Sequence, residues 1–292
     1  MRVGIVAQKS NDRAATLARD TRDALRTAGV EVHVDETTAA TLELPGVPVS
    51  DLETCDLVVS IGGDGTFLYA ARGAAGTPVL GVNLGEVGFL NAVGPDEAID
   101  AVTREVEAFR GEGPEGGRDG GEGGDRTGEH RALDVREVPR LAARGDGWAS
   151  DPAMNEVVVQ GPRRGHGGGA DLTVRVDGST FTEGHADGVL VATSTGSTAY
   201  NLSERGPLVH PGVGGLIVTG MSATDGMPPL VVPADAEVTV DVDGAEQAVV
   251  VSDGRSVERV RPPATVTVAT TDPPVRLAGP RPDFFEALGK LD

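Results

Sequence analysis

The residues best suited to chemistry fall into two groups, and the first is Gly62-Gly63-Asp64-Gly65-Thr66. It places one carboxylate among three glycines, directly after the apolar run 57–61 and ahead of the helix-like 67–72. Glycine lets a backbone turn tightly and approach phosphate oxygens closely, and a helix N-terminus favours negative charge. A carboxylate inside such a cradle repels phosphate unless it has a task of its own. Accepting a proton from a hydroxyl nucleophile is one such task, and holding a divalent ion is another. The plainer alternative is a strand-to-helix turn in which Asp64 caps the helix.

The second group lies in 187–200, where an apolar run opens into Thr193-Ser194-Thr195-Gly196-Ser197-Thr198-Ala199-Tyr200. Small polar side chains and a glycine let backbone approach a ligand, and Tyr200 can border a planar ring. Five hydroxyl residues within 193–198 are more than a structural turn needs, which favours a binding site. A weaker third element is Asn155-Glu156, an amide and a carboxylate ahead of Val157-Val158-Val159. Such a pair commonly does no more than begin a strand.

The elements that must position these groups differ between the two halves of the chain. Residues 2–7, 30–35, 56–61 and 77–82 read as short strands, and Ala14, Leu17, Ala18, Thr21 and Leu25 form one helical stripe between the first two. A helix is expected from Pro95, with Ile99, Val102, Val106 and Phe109 on its inner face. This alternation predicts an α/β domain with a mainly parallel sheet over residues 1–110. Residues 111–130 hold nine glycines, six carboxylates and no aliphatic side chain, the composition of a flexible acidic insert. The Gly-x-Gly-x-x-Gly spacing at Gly111, Gly113 and Gly116 follows no strand and contains Pro114, so it is not a dinucleotide fingerprint.

Beyond residue 131 the period becomes two. Residues 172–178 and 238–244 alternate and end in Asp-Gly turns, and Val266, Val268, Val275 and Leu277 repeat the pattern between prolines. A β-rich, mostly antiparallel domain is expected over 131–275. In the closing segment 276–292, a terminal helix would pack Phe284, Phe285 and Leu288 back on the body.

Composition narrows the function classes. Of 292 residues, 39% are hydrophobic, enough for a core, and 45 acidic against 25 basic residues give a net charge of −20. A field this negative repels nucleic acid and anionic lipid, so neither is expected as a partner. Only Lys9 and Lys290 are lysines, and an acidic, lysine-poor surface suits a protein dissolved in concentrated salt. No apolar run reaches the length of a membrane span, and the single cysteine, Cys55, reads as a small core residue of a cytoplasmic protein. The five histidines lack ligand spacing, so no zinc site is expected. Arg163-Arg164-Gly165-His166-Gly167-Gly168-Gly169 reads as a mobile hairpin loop, with closure over a ligand the less favoured reading. Asn201-Leu202-Ser203 matches a glycosylation sequon but overlaps the second group.

Taken in order, Gly62 to Thr66, Pro78 to Gly85 with Gly88-Phe89-Leu90, Asn155-Glu156-Val157, Asp187 to Tyr200, Gly206-Pro207 and His210-Pro211 resemble the NAD kinase family, in a haloarchaeal form using ATP or polyphosphate. The resemblance spans nearly the whole chain outside the insert. Gly-Gly-Asp-Gly-Thr alone also fits lipid kinases and phosphofructokinases, whereas Thr-Gly-Ser-Thr-Ala-Tyr is specific to NAD kinases among them. The resemblance implies a Rossmann-like first domain and phosphoryl transfer to the 2′-hydroxyl of the adenosine ribose of NAD, giving NADP.

It further implies Asp64 as general base and Gly65 in the same pocket, with Gly62, Gly63 and Thr66 facing the phosphate donor. Asn155, Glu156, His185 and Asp187 would bind polar groups of the dinucleotide, and Thr198, Ala199, Tyr200 and Ser203 would line its ring and ribose pockets. Mg²⁺ is implied with the nucleotide, bound by no dedicated metal ligand. So is a homo-oligomer, dimer or tetramer, in which a neighbouring subunit completes the pocket. The sequence departs from the family where His185 replaces an arginine, Tyr69 a basic residue and Arg255 a glutamine, and in 222–229, which lack the family's His and Arg. The readings weighed against a kinase of NAD are a non-catalytic NAD(H) sensor and a kinase of another small hydroxyl compound.

Overall fold

The computed structural model describes residues 1–85, 88–111, 135–163, 165, 168–223 and 227–290. It divides into two units, Met1–Glu137 with Val275–Asp292, and Val138–Pro274. The expected insert therefore lies outside the described residues, apart from Gly111. So do Arg164, His166 and Gly167 of the expected hairpin loop, and residues 224–226 of the departing stretch.

In the first unit, apolar runs between turns become β1 (Arg2–Ala7), α1 (Asp12–Thr27), β2 (Glu31–Val34), α2 (Glu36–Leu42), β3 (Leu57–Gly62), α3 (Asp64–Ala74), β4 (Val79–Asn83) and α4 (Ala98–Arg110). The strands lie parallel in the order β2-β1-β3-β4. All six residues of β3 are buried, as an uninterrupted apolar run requires when helices cover both sheet faces. Chain order reverses direction at β1, which has β2 on one side and β3 on the other. Ligands of open α/β sheets bind at such a switch point, beyond the carboxyl ends of the strands. Residues 62–66 stand at that end of β3.

Several expectations are corrected in detail. α4 begins at Ala98, after a 3₁₀ turn over Pro95–Glu97, and buries Ala98, Ala101, Val102 and Val106, leaving Ile99 and Phe109 half-buried. The two alanines let the helix lie close to its neighbours, and Ile99 sits one residue round from that stripe. α2 was not foreseen. Asp35, read as the end of a strand, caps it by accepting the N–H groups of Thr37 (3.0 Å) and Thr38 (3.3 Å).

The second unit contains most of β5 (Val135–Gly145), β6 (Trp148–Ala149), β7 (Glu156–Gln160), β8 (Ala170–Val176), β9 (Ser179–Ala186), β10 (Gly188–Thr193), a 3₁₀ turn Thr195–Thr198, α5 (Tyr200–Ser203), β11 (Gly215–Met221), β12 (Leu230–Pro233), β13 (Val238–Asp243), β14 (Ala248–Ser252), β15 (Ser256–Val260) and most of β16 (Ala264–Ala278). One antiparallel sheet runs β12-β11-β10-β7-β14-β15; the other contains β16-β13-β8-β9. Val157, Val159, Val189, Val191, Leu216 and Val218 of the first share a core with Leu172, Val174, Val238, Val240, Val266 and Val268 of the second. Val158, Leu190, Ala192 and Ile217 face the other way and form a second cluster, joined by Tyr200. β10 is therefore buried on both faces, and its sequence shows no alternation.

The runs around 266–268 and 275–277, expected as separate strands, are one strand, β16. It pairs with β13 through 264–268 and with β4 through 277–278. The prolines between them accept extended backbone. The terminal helix α6 (Phe284–Leu288) buries Ala287, and Phe284 packs on Phe89 at 5.9 Å, but Phe285 is 73% exposed. A helix of five residues has one packing face, and consecutive phenylalanines point about 100° apart. Among the described residues no helix is long and apolar enough to cross a membrane.

Candidate active site

β3, an interior strand, carries the first site to the carboxyl end of the sheet. Its Leu57 and Ile61 are fully buried, each contributing roughly 2 kcal/mol, so the turn that follows is firmly anchored. Gly62 must be glycine, because a Cβ there would stand 2.9 Å from Thr66 Cβ and 3.0 Å from Gln8 Cβ. Gly63 and Gly65 are different. Neither has positive φ, and a Cβ on either would meet nothing within 4 Å. Gly65 costs the first turn of α3 about 1 kcal/mol relative to alanine with no packing gain, which leaves open space at a helix N-terminus.

Asp64 does not cap that helix. The N-cap of α3 is Gly63, with no side-chain cap. The Asp64 carboxylate turns instead to residues 89–91: Oδ2 accepts the Phe89 N–H (3.2 Å), and Oδ1 accepts the Leu90 N–H (3.4 Å) and Asn91 Nδ2–H (3.0 Å). Two carboxylate oxygens offer about four acceptor positions, so among the described residues one, on Oδ2, is left. Burial raises the pKa of Asp64 above the usual carboxylate value against the opposing pull of these three donors. A half-buried carboxylate aimed by three donors is suited to receiving one proton.

In the second unit Asn155 and Glu156 open β7, and their backbone is gripped by Asp253 from the β14–β15 turn. Asp253 Oδ2 accepts the Met154 N–H (2.9 Å), and Oδ1 accepts those of Asn155 (2.8 Å) and Glu156 (3.3 Å). Glu156 is 6% exposed and its Oε2 has no hydrogen-bond partner among the described residues. Burial, then the charge of Asp253, push its pKa up to about 7, opposed by the hydrogen bond from the Tyr200 N–H. Gly196 lies against Asn155 so closely that a Cβ would come within 2.8 Å of Asn155 Cα. These contacts bring Asn155, Glu156 and the segment 196–200 together.

Much of the hydroxyl-rich turn serves the fold. Thr193 Oγ1 donates to the Met154 carbonyl (2.7 Å) and accepts the Gly196 N–H (3.1 Å), Ser194 Oγ donates to the Gly215 carbonyl (3.2 Å), and Ser197 Oγ donates to that of Val209 (3.0 Å). All three are buried. The hydroxyl count therefore overstated the case for a site, while Thr198, Ala199 and Tyr200 are half-buried and Ser203 exposed. Asn201, the sequon residue, is fully buried. Its Nδ2 donates to the carbonyls of Ser197 (3.2 Å) and Pro207 (3.0 Å), and its Oδ1 accepts the Thr219 hydroxyl (2.8 Å). It is a staple of the turn and is inaccessible to a glycan.

His185 and Asp187 form a separate cluster. Asp187 Oδ1 accepts the Gly165 N–H (2.9 Å), while the His185 ring nitrogens face Asp171 (2.9 Å) and the Gly168 carbonyl (2.9 Å). Two acceptors favour the imidazolium, and Asp171 foremost raises its pKa. Asp187 precedes β10 and the hydroxyl turn follows it, so the strand holds the two about 20 Å apart. The structure does not gather the second unit's expected binding residues in one place.

Among the described residues no three His, Cys, Asp or Glu side chains converge as metal ligands. With a single acceptor position left on Asp64, a divalent ion here would take most of its oxygens from phosphate and water. Three residues that shape these groups went unassigned in the sequence: Asn91 beside Asp64 in the first unit, and Asp253 and Asn201 in the second. Nothing local marks Asp253 as a partner of residues 154–156, or Asn91 as a partner of a carboxylate 27 positions away.

Two family models match the chain. The ATP-NAD kinase N-terminal domain matches residues 3–108, and the ATP-NAD kinase C-terminal domain matches residues 154–278. The chain belongs to the NAD kinase family. It is a phosphotransferase, and the resemblance read from its motifs is borne out. An NAD kinase of Haloarcula marismortui and one of Halorubrum lacusprofundi are each 57% identical to it over the full length of both chains. Among solved structures, an NAD kinase from Archaeoglobus fulgidus in complex with ATP has a TM-score of 0.75 at 24% identity, each chain covered completely. Yeast NADH kinase complexed with NADH has a TM-score of 0.81 at 22% identity, over 100% of this chain and 87% of that one. These likenesses establish the fold: an α/β unit with a mainly parallel sheet and an antiparallel β-rich unit.

Proposed function

We propose that the protein transfers the terminal phosphoryl group of ATP, or of polyphosphate, to the 2′-hydroxyl of the adenosine ribose of NAD, with Asp64 as general base. One observation carries this reading: the Asp64 carboxylate caps nothing, is aimed by three donors, and retains one acceptor position on Oδ2. The 2′-hydroxyl gives its proton to that oxygen as its own oxygen bonds to phosphorus and the bond from phosphorus to the donor's bridging oxygen breaks. The open space at Gly63 and Gly65 suits the donor phosphates against the N-terminus of α3. The donor phosphates and water would hold Mg²⁺, which would supply charge neutralisation that the glycine turn alone does not.

Asn155, Glu156 and the segment 198–200 bind the dinucleotide. His185 and Asp187 stand at the other end of β10, which supports a homo-oligomer in which a second copy brings that end to the pocket. The acidic, lysine-poor composition and lone buried cysteine suit a reducing, salt-rich cytoplasm. The test is to incubate wild type and Asp64→Asn with NAD, Mg²⁺ and either ATP or polyphosphate at high salt, and to measure NADP formed and NAD bound. Loss of NADP formation with NAD binding kept is expected. Full turnover by Asp64→Asn overturns the base assignment, and NAD binding by wild type without product overturns the kinase reading in favour of a sensor.

A further inference from the structure

We infer that Asn91 is a positioning residue for the phosphoryl transfer, holding the Asp64 carboxylate through Nδ2 in the orientation that leaves Oδ2 open. This rests on the reading of Asp64 as the base. Asn91 is 4% exposed, and its amide is satisfied at one end only: Nδ2 donates to Asp64 Oδ1 at 3.0 Å, while Oδ1 is buried with no hydrogen-bond partner among the described residues. Burying an amide oxygen without a partner is unfavourable, so its fold-stabilising value is small. The compensating contact is the charge-assisted bond to Asp64. The amide cannot be turned round, because its oxygen would then face a carboxylate.

The surroundings make room for this side chain specifically. Asn83 N–H donates to the Val93 carbonyl (2.9 Å) and Val93 N–H to that of Gly81 (3.2 Å), pinning the segment after Asn91 along β4. Gly81 lies against Asn91, and a Cβ there would stand 2.9 Å from Asn91 Cα and collide with its amide oxygen. On the other side Phe284 packs on Phe89, whose N–H is another of the three donors. Two of the donors are backbone, so Asn91 is the one side chain among the described residues that acts on Asp64. Burial opposes them, and no charged side chain among the described residues contributes.

Removing a donor from a carboxylate favours its neutral form, so the acid limb of activity moves to higher pH. For Asn91→Ala the expected movement is about one pH unit, a tenfold loss of kcat/KM below the limb and little loss above it. Asn91→Asp keeps the shape but sets a second carboxylate beside the first, and is expected to move the limb further. The experiment is the pH profile of kcat/KM for wild type and both variants. It is paired with ¹³C NMR titration of the Asp64 carboxyl, assigned by its absence in Asp64→Asn. The order wild type, alanine, aspartate in both limb and titration supports the role. A uniform loss at every pH with an unmoved limb overturns it, as does an unmoved carboxyl titration. If Asp64→Asn keeps its turnover, it is the base assignment that fails, and the NMR titration then reports separately whether the amide holds the carboxylate.

Discussion

Replacing Glu156 by glutamine is expected to stabilise the protein at alkaline pH and to change little in acid. Glu156 is 6% exposed, and its pKa in the folded chain is about 7 against 4.5 for an ordinary glutamate. The folded state therefore holds a proton that the unfolded state gives up. Below 4.5 both states are protonated and nothing is lost. As pH rises from 4.5 to 7 the unfolded state alone ionises, and stability falls. Above 7 the folded group ionises as well, beside Asp253, and the loss is complete. The 2.5 pH units between the two values correspond to about 3 kcal/mol at 1.36 kcal/mol per unit.

Glutamine has no proton to lose and keeps an oxygen for the Tyr200 N–H. The stability of Glu156→Gln minus that of wild type is thus expected to rise by about 3 kcal/mol between pH 4.5 and pH 8.5. If the chain unfolds as one unit, this is on the order of 5 °C in Tm. Thermal and urea unfolding followed by circular dichroism at fixed high salt measure it, and the other carboxylates cancel in the difference. A difference that does not change with pH, or falls as pH rises, would refute the burial and repulsion assigned to Glu156.

Asn201→Ala removes two donors and one acceptor from a fully buried staple and is expected to cost about 2–4 kcal/mol, read as a fall in Tm, with Asn201→Asp no better. His185 has a folded pKa raised by Asp171, then by Gly168, so its stabilising contribution is whole below pH 6.5 and is lost as pH rises through the folded value. His185→Gln is accordingly expected to lower Tm more at pH 6 than at pH 9, and the gap is expected to shrink with salt because the group is exposed.

Local chemistry made much of this chain legible. Apolar runs of five or six residues with glycine or proline at their ends could only be buried strands, and β1, β3, β4 and β10 lie within a residue or two of where those runs fall. Asp-Gly pairs marked turns because their backbone tolerates positive φ: Asp177 and Gly178 adopt φ of 48° and 79°. The single carboxylate in a glycine turn at a strand's end was enough to nominate Asp64. The alternation of period from helix to strand announced an α/β half and a β half. α2 escaped because its one signal, Asp35 as a cap, adjoins a strand and reads equally well as the strand's end.

Long-range pairing decided the remainder, since hydrogen-bond partners far apart in sequence leave no local trace. That Asp64 meets Asn91 follows from the single crossover through α3 that lays β3 beside β4, and from the return of the chain over their carboxyl ends. That Asp253 grips residues 154–156 follows from β14 pairing with β7 nearly a hundred positions away. The hydroxyls of 193–198 show the same division: their number could be counted in the sequence, but only packing assigned Thr193, Ser194 and Ser197 to the interior. Residue types and their spacing determine which groups are able to react. Tertiary structure determines their protonation and aim, because burial and the donors that reach a side chain from elsewhere in the chain exist only once it has folded.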